Sequence, residues 1–154
     1  MCNDIMKVDQ LYSLVWMSRP LMQAAEVVVE QGLRDTGLTV RMRAVLEVLH
    51  AHGDLTVPDL AHNLEIKRQY VQLMVNETLV AGLTAQRHNP RHKRSQLLTL
   101  TDSGRLLIAR IVEDERALIA ALGASIDPED AQTALNVVVH LIEKLKSHAG
   151  MEYK

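Results

Sequence analysis

Apolar residues recur at helical spacing along most of this 154-residue chain, and the spacing turns strand-like only between residues 84 and 100. Residues 8–32 predict a long helix on Leu11, Leu14, Val15, Leu21, Ala25 and Val28. Asp9 stands where it could cap that helix, and Pro20 either kinks it or divides it in two. So apolar a helix at a chain end points to packing beyond its own domain. Thr39 is placed to cap a helix over 40–52, with Val40, Ala44, Val45, Val48 and Leu49 as its buried stripe and Gly53 as its stop. Leu55 reads as a short extended residue. Thr56 then offers an N-cap, with Asp59 three residues on and Pro58 in the first turn of a helix over 58–64. The next helix spans 67–81 and ends at Gly82.

Segments 84–89 and 95–100 predict two short strands joined by Pro90-Arg91-His92-Lys93-Arg94, a polar turn with three positive charges. Thr101 is placed to cap a long helix over 102–123. Asp127–Pro128 opens a last helix to 147, carrying Ala131, Ala134, Leu135, Val138, Leu141, Ile142 and Leu145. The fold class is therefore mainly α: a winged helix-turn-helix over residues 55–100 with a two-strand β-wing, between N- and C-terminal helices.

Composition sharpens this picture. Hydrophobic residues make up 47% of the chain but aromatics only 3%, so the core must be built from Leu, Val, Ala, Ile and Met. One cysteine, Cys2, excludes an internal disulfide and suits a reducing compartment. Nothing near it in sequence lowers its pKa, so an inert thiol is expected. The first ten residues carry charges where a secretory leader has its apolar segment, and no apolar run reaches 18 residues. A soluble, cytoplasmic protein with no membrane partner is expected.

Net charge is −2, which at first argues against nucleic acid. The distribution reverses that argument. Residues 41–105 hold 9 basic and 6 acidic side chains, whereas 1–40 hold 3 and 5 and 106–154 hold 5 and 8. Between Lys67 and Arg94 six basic residues face one acid, Glu77. A local basic footprint governs phosphate contact more than whole-chain charge does.

Only Glu65 and Ile66 separate the helices over 58–64 and 67–81, which forces a steep crossing. Leu60, Ala61 and Leu64 face Ile66, Val71, Val75 and Leu79, the last three forming one stripe at i, i+4 and i+8. The opposite face carries Lys67, Arg68, Gln69, Tyr70, Gln72 and Asn76, donors and acceptors of the kind that read base edges in a major groove. Met74 reads as core, and Leu73 fits a half-buried core position better than a contact to a thymine methyl. Arg91, Lys93 and Arg94 at the hairpin tip suit phosphates or a minor groove. Double-stranded DNA is the expected partner.

The string VNETLVAGLTAQRHNPRHKRSQLLTLTDSG, residues 75–104, resembles the MarR family of bacterial transcription regulators. Gly82–Leu83, Arg87, Asn89–Pro90, Lys93–Arg94, Leu98-x-Leu100–Thr101 and Gly104 carry the resemblance, which extends by pattern over about residues 8–147. It implies an N-terminal dimerisation helix over 1–36, a DNA-binding domain over 37–104, C-terminal dimerisation helices over 105–147 and a flexible tail over 148–154. It implies a homodimer on a pseudo-palindromic operator, with helix 67–81 in the major groove and Arg87 and Arg94 in the wing. It also implies a ligand-responsive repressor, whose lipophilic or phenolic effector would be lined by Tyr12, Trp16, Arg19, Met22 and Met42. Three positions depart from the pattern. His92 replaces the usual Asp before the basic pair, Gln72–Leu73 replaces Thr-Arg or Ser-Arg, and Glu77 replaces Arg and is expected to face sideways.

No enzyme is expected. The seven histidines show no metal-ligand spacing, no phosphate-binding Gly-rich loop follows a strand, and no activated nucleophile is evident; no cofactor is implied. The alternative from another class is a structural or protein-interaction winged helix with weak or no specific DNA binding.

Overall fold

A computed structural model describes residues 2–92 and 95–151, with side chains from residue 5 onward. Six helices and one hairpin follow in the order α1 (Cys2–Gly32), α2 (Val40–His52), α3 (Val57–Leu64), α4 (Arg68–Val80), β1 (Thr84–His88), β2 (Gln96–Leu100), α5 (Asp102–Leu122) and α6 (Pro128–His148). The chain divides into two compact units, residues 26–119 and residues 1–25 with 120–154.

The unit of residues 26–119 holds the hydrophobic core. Val45 and Leu46 of α2, Leu60 of α3, Val71 and Val75 of α4, Leu98 of β2 and Ile108 of α5 are fully or almost fully buried in it. With one Trp and no Phe in the chain, branched aliphatics fill this space, as composition requires. The stripe of α2 is rotated from the expected one: Met42 and Leu46 are buried with Val45 and Leu49, while Val40, Ala44 and Val48 pack at its margin. Arg43, on the side of α2 that meets α5, bridges Glu47 and Glu115. The hydrogen bonds that Arg43 donates to Glu115 raise its pKa more than burial lowers it, so the guanidinium stays charged inside a largely covered site.

The helix ends follow local chemistry. Thr39 accepts from the Met42 N–H at 3.2 Å, and Gly53 ends α2 with φ +80°. α4 stops at Val80 with two bonds of a Schellman motif, Gly82 N–H to the Leu79 carbonyl at 3.0 Å and Leu83 N–H to the Thr78 carbonyl at 3.0 Å. Gly82, at φ +70°, takes the left-handed position that motif needs. β1 and β2 then pair antiparallel from Thr84↔Leu100 to His88↔Gln96, and Leu55 adds an isolated antiparallel bridge to Leu98. Thr101 caps α5 by accepting from the Gly104 N–H at 3.1 Å, as expected.

One expectation about α1 needs correction, and one open alternative is decided. It begins by Cys2, so Asp9 lies inside the helix and does not cap it; Ile5, Val8 and Tyr12 carry the helical spacing upstream. Pro20 does not divide it, since the helix continues on both sides, at the expense of the one N–H that proline lacks.

In the unit of residues 1–25 and 120–154, Ile5, Val8, Tyr12, Trp16, Met17, Leu21 and Met22 are exposed on α1. Leu135, Val138, Val139, Ile142 and Leu145 are exposed on α6, which has no buried residue among those described. Asp127 and Pro128 start α6 as expected, Asp127 accepting from the Glu129 N–H at 2.8 Å. No helix is long and apolar enough to cross a membrane among the described residues.

Gly104 fixes the seat of α5 on the turn before the wing. A Cβ at this position would stand 2.0 Å from the Leu83 carbonyl oxygen, a backbone atom that is itself bonded to the Thr101 N–H. Gly104→Ala is therefore expected to destabilise the fold by about 1–3 kcal/mol, read as a lower urea midpoint. An unchanged midpoint would contradict this packing.

Candidate nucleic-acid interface

α3 and α4 form the helix-turn-helix. Thr56 and Asp59 make a full capping box at the start of α3: Thr56 Oγ1 accepts from the Asp59 N–H at 3.3 Å, and Asp59 Oδ2 accepts from the Thr56 N–H at 3.2 Å. Pro58 sits in the first turn, where no N–H is needed. Glu65 closes α3 in the left-handed region at φ 54°, and Ile66 and Lys67 lead into α4. The connection is three residues, one longer than the two-residue spacing implied, because α4 starts at Arg68 and Lys67 stands as its N-cap.

α4 buries Val71, Met74, Val75 and Thr78. Thr78 is wholly buried; its hydroxyl meets the Val75 carbonyl and the Thr84 hydroxyl, each at 2.8 Å, which locks α4 to the first residue of the wing. At 100° per residue the side opposite this stripe is Gln69, Leu73, Asn76 and Val80, with Arg68 and Gln72 on one flank and Tyr70 and Glu77 on the other. Lys67, Arg68, Gln69, Tyr70 and Asn76 are exposed as expected, and Gln72 is half-buried. Met74 is core, as expected. Leu73 is not the half-buried core residue its sequence suggested: it is 56% exposed, because its neighbours one turn back, Gln69 and Tyr70, are themselves exposed.

Ion pairs decide which cations near α4 stay available. Glu77 does face sideways, accepting from Arg41 Nη2 of α2 at 3.1 Å. Arg87 of β1, expected among the DNA contacts, is paired with Asp54, the residue just ahead of the Leu55 bridge. That pair ties the wing to the segment entering α3. Neither Arg41 nor Asp54 stood out in the sequence, since each partner lies more than thirty residues away and no spacing marks it. Lys67, Arg68 and Arg91 have no ion pair among the described residues.

The wing tip is held by Asn89, which is 5% exposed. Its Oδ1 accepts from the Arg91 N–H at 3.0 Å and its Nδ2 donates to Ser95 Oγ at 3.0 Å. This Asx turn presents Arg91 and His92 outward. Lys93 and Arg94, the basic pair expected to reach DNA, lie outside the described residues. Of the expected effector-lining residues, Tyr12 and Trp16 are exposed neighbours with ring centroids 6.1 Å apart, and Arg19 and Met22 are exposed on the same helix. Met42 belongs to the core of the other unit. No metal-binding cluster occurs among the described residues.

No family model matches the chain. An uncharacterized protein of Mycobacterium tuberculosis is 38% identical over 93 residues, 60% of this chain and 65% of that relative, so the match spans just under two thirds of its length. The HTH-type transcriptional repressor MdtR of Bacillus subtilis is 27% identical over 147 residues, 95% of each chain. A crystal structure of a MarR family transcription regulator superposes with a TM-score of 0.84 at 34% identity, covering 95% of this chain and 97% of its own. The chain belongs to the MarR family of transcription regulators. MarR regulators are not enzymes. The six helices and two-strand wing are the MarR winged helix, as the string over 75–104 implied.

The capping box sets how α3 enters the turn, so Thr56→Ala, which removes the side-chain half of it, is expected to lower stability by about 1 kcal/mol in chemical denaturation. A variant as stable as the parent would show that the box does not hold α3.

Proposed function

We propose that this MarR regulator binds a pseudo-palindromic operator as a homodimer and acts as a ligand-responsive repressor. The observation that carries this reading is the outward face of α4, where Arg68, Gln69, Gln72 and Asn76 stand beside Lys67 with the basic wing tip at Arg91. α4 enters the major groove and the wing follows the backbone into the adjacent minor groove, with Lys93 and Arg94 adding charge there. Residues 37–104 make the DNA-binding domain. The helices of 1–36 and 105–147 make the dimer interface, where the exposed apolar residues of α1 and α6 supply the surface that a second copy would cover. The similarity to MdtR, a transcriptional repressor, supports the sign of regulation.

The protein works in the cytoplasm, where its operator is. A lipophilic or phenolic effector touching Tyr12, Trp16, Arg19 and Met22 releases DNA if it binds a DNA-incompetent arrangement better than the competent one.

The direct test is selection of genomic DNA by the purified protein, followed by titration of the recovered site and of random duplex at one salt concentration. About a thousandfold or greater preference for the recovered site is expected. Equal affinity would favour a winged helix that does not read sequence.

Ion pairing also divides the arginines. Arg91→Ala removes a cation with no ion pair, so the slope of log affinity against log salt is expected to fall by about 1 for each protomer. Arg87→Ala removes a charge already balanced by Asp54, so that slope is expected to hold while affinity falls through loss of the wing tether. The opposite ranking of slopes would reassign the two residues.

A further inference from the structure

The middle of the outward face of α4 carries no available charge. Lys67 and Arg68 stand at its N-terminal end, Arg91 is on the wing, and the one ionic group beside the middle, Glu77, is engaged by Arg41. What remains there is Leu73, more than half exposed, between Gln69 and Asn76. Asn76 is braced: Gln72 Nε2 donates to its Oδ1 at 3.0 Å. The bond fixes the carboxamide plane while leaving Asn76 its NH2 group and the second lone pair of Oδ1. A donor and an acceptor side by side match the N7 and N6 edge of adenine in the major groove. The thymine of the same or a neighbouring A·T pair presents its C5-methyl group on that edge, and an uncharged branched side chain three residues before Asn76 is suited to cover a methyl.

We infer that the middle of α4 reads A·T pairs, Asn76 braced by Gln72 on adenine and Leu73 on a thymine methyl. This rests on the DNA-reading role proposed above and names the bases that role would select. It gives Leu73 an occupant that removes it from water, which nothing within the described chain does. A helix built to read guanine at this position would place arginine or lysine there, and the cations nearest it stand at the helix start or in ion pairs.

Deoxyuridine pairs as thymidine does but lacks the C5-methyl group. Each thymine of the recovered site is replaced in turn, and affinities of the parent protein and of Leu73→Ala are measured on every duplex. One thymine in each half-site is expected to weaken parent binding by about fourfold when demethylated, the value of one buried methyl. Leu73→Ala should bind the methylated and demethylated duplexes equally, and should bind random duplex as the parent does, because Leu73 supports no core. Asn76→Ala should relax the preference for adenine at the neighbouring position. A strongly preferred site in which every uracil replacement is silent would overturn this inference and leave the regulator reading intact. So would an equal loss for the parent and Leu73→Ala. Recovery of no preferred site would overturn both.

Discussion

Four side chains on one side of α4, Val71, Met74, Val75 and Thr78, decide which side of that helix is left for a partner. Three are held by the apolar core shared with α2, α3 and β2, and the fourth by a buried hydroxyl pair to Thr84. Rotating α4 by one residue toward Gln72 and Asn76 would bury two carboxamides with only each other as partners and break the Thr78–Thr84 hydroxyl pair, a cost of about 1–3 kcal/mol for each buried polar group left unsatisfied. The outward line of Gln69, Leu73 and Asn76 is thus a consequence of packing on the far side. The same pair connects α4 to the wing: Thr84 opens β1, and the Schellman motif at Gly82 sets the angle at which β1 leaves. α4 and the wing are joined for this reason.

A second constraint is local charge. The basic excess of the middle segment overstates the cations open to phosphate, because Arg41, Arg43 and Arg87 are each spent on carboxylates of the protein itself. Arg43 is buried structure, Arg41 turns Glu77 away from the outward face, and Arg87 ties the wing to the approach to α3. The available charge is then concentrated at the start of α4 and at the wing tip, on either side of an uncharged middle. Under the proposed DNA-reading role, that division puts phosphate contacts at the ends and base contacts between them.

Much of this was legible in the sequence because it is encoded within a few residues. The Thr56/Asp59 box, the Gly82 stop, the Asn89–Pro90 turn and the Thr101 cap each depend on neighbours within one turn, and each occurs where its spacing placed it. The MarR string over 75–104 joins several of these signals and so marks the fold strongly. What stayed hidden depends on distant partners. Asp54 and Arg87 are 33 positions apart, and Arg41 and Glu77 are 36 apart, with nothing local to announce either pair. Met42 and Leu46 entered the core in place of Ala44 and Val48 because the rotation of α2 is set by its packing on α3, α4 and β2, not by its own pattern. Leu73 was misjudged for a related reason. Hydrophobicity alone put it near the core, while the four-residue stripe that actually docks α4 leaves it outside.

Chemical interference on the recovered site tests the central claim most directly, since diethyl pyrocarbonate marks purine N7, adenine above all, in the major groove and dimethyl sulfate marks adenine N3 in the minor groove. With α4 in the major groove and the wing in the minor groove of each half-site, two clusters of N7 interference are expected, related by two-fold symmetry and centred about one helical turn apart. N3 interference should flank each cluster. A tightly bound site with no N7 interference, or with a single unsymmetrical cluster, would contradict the account.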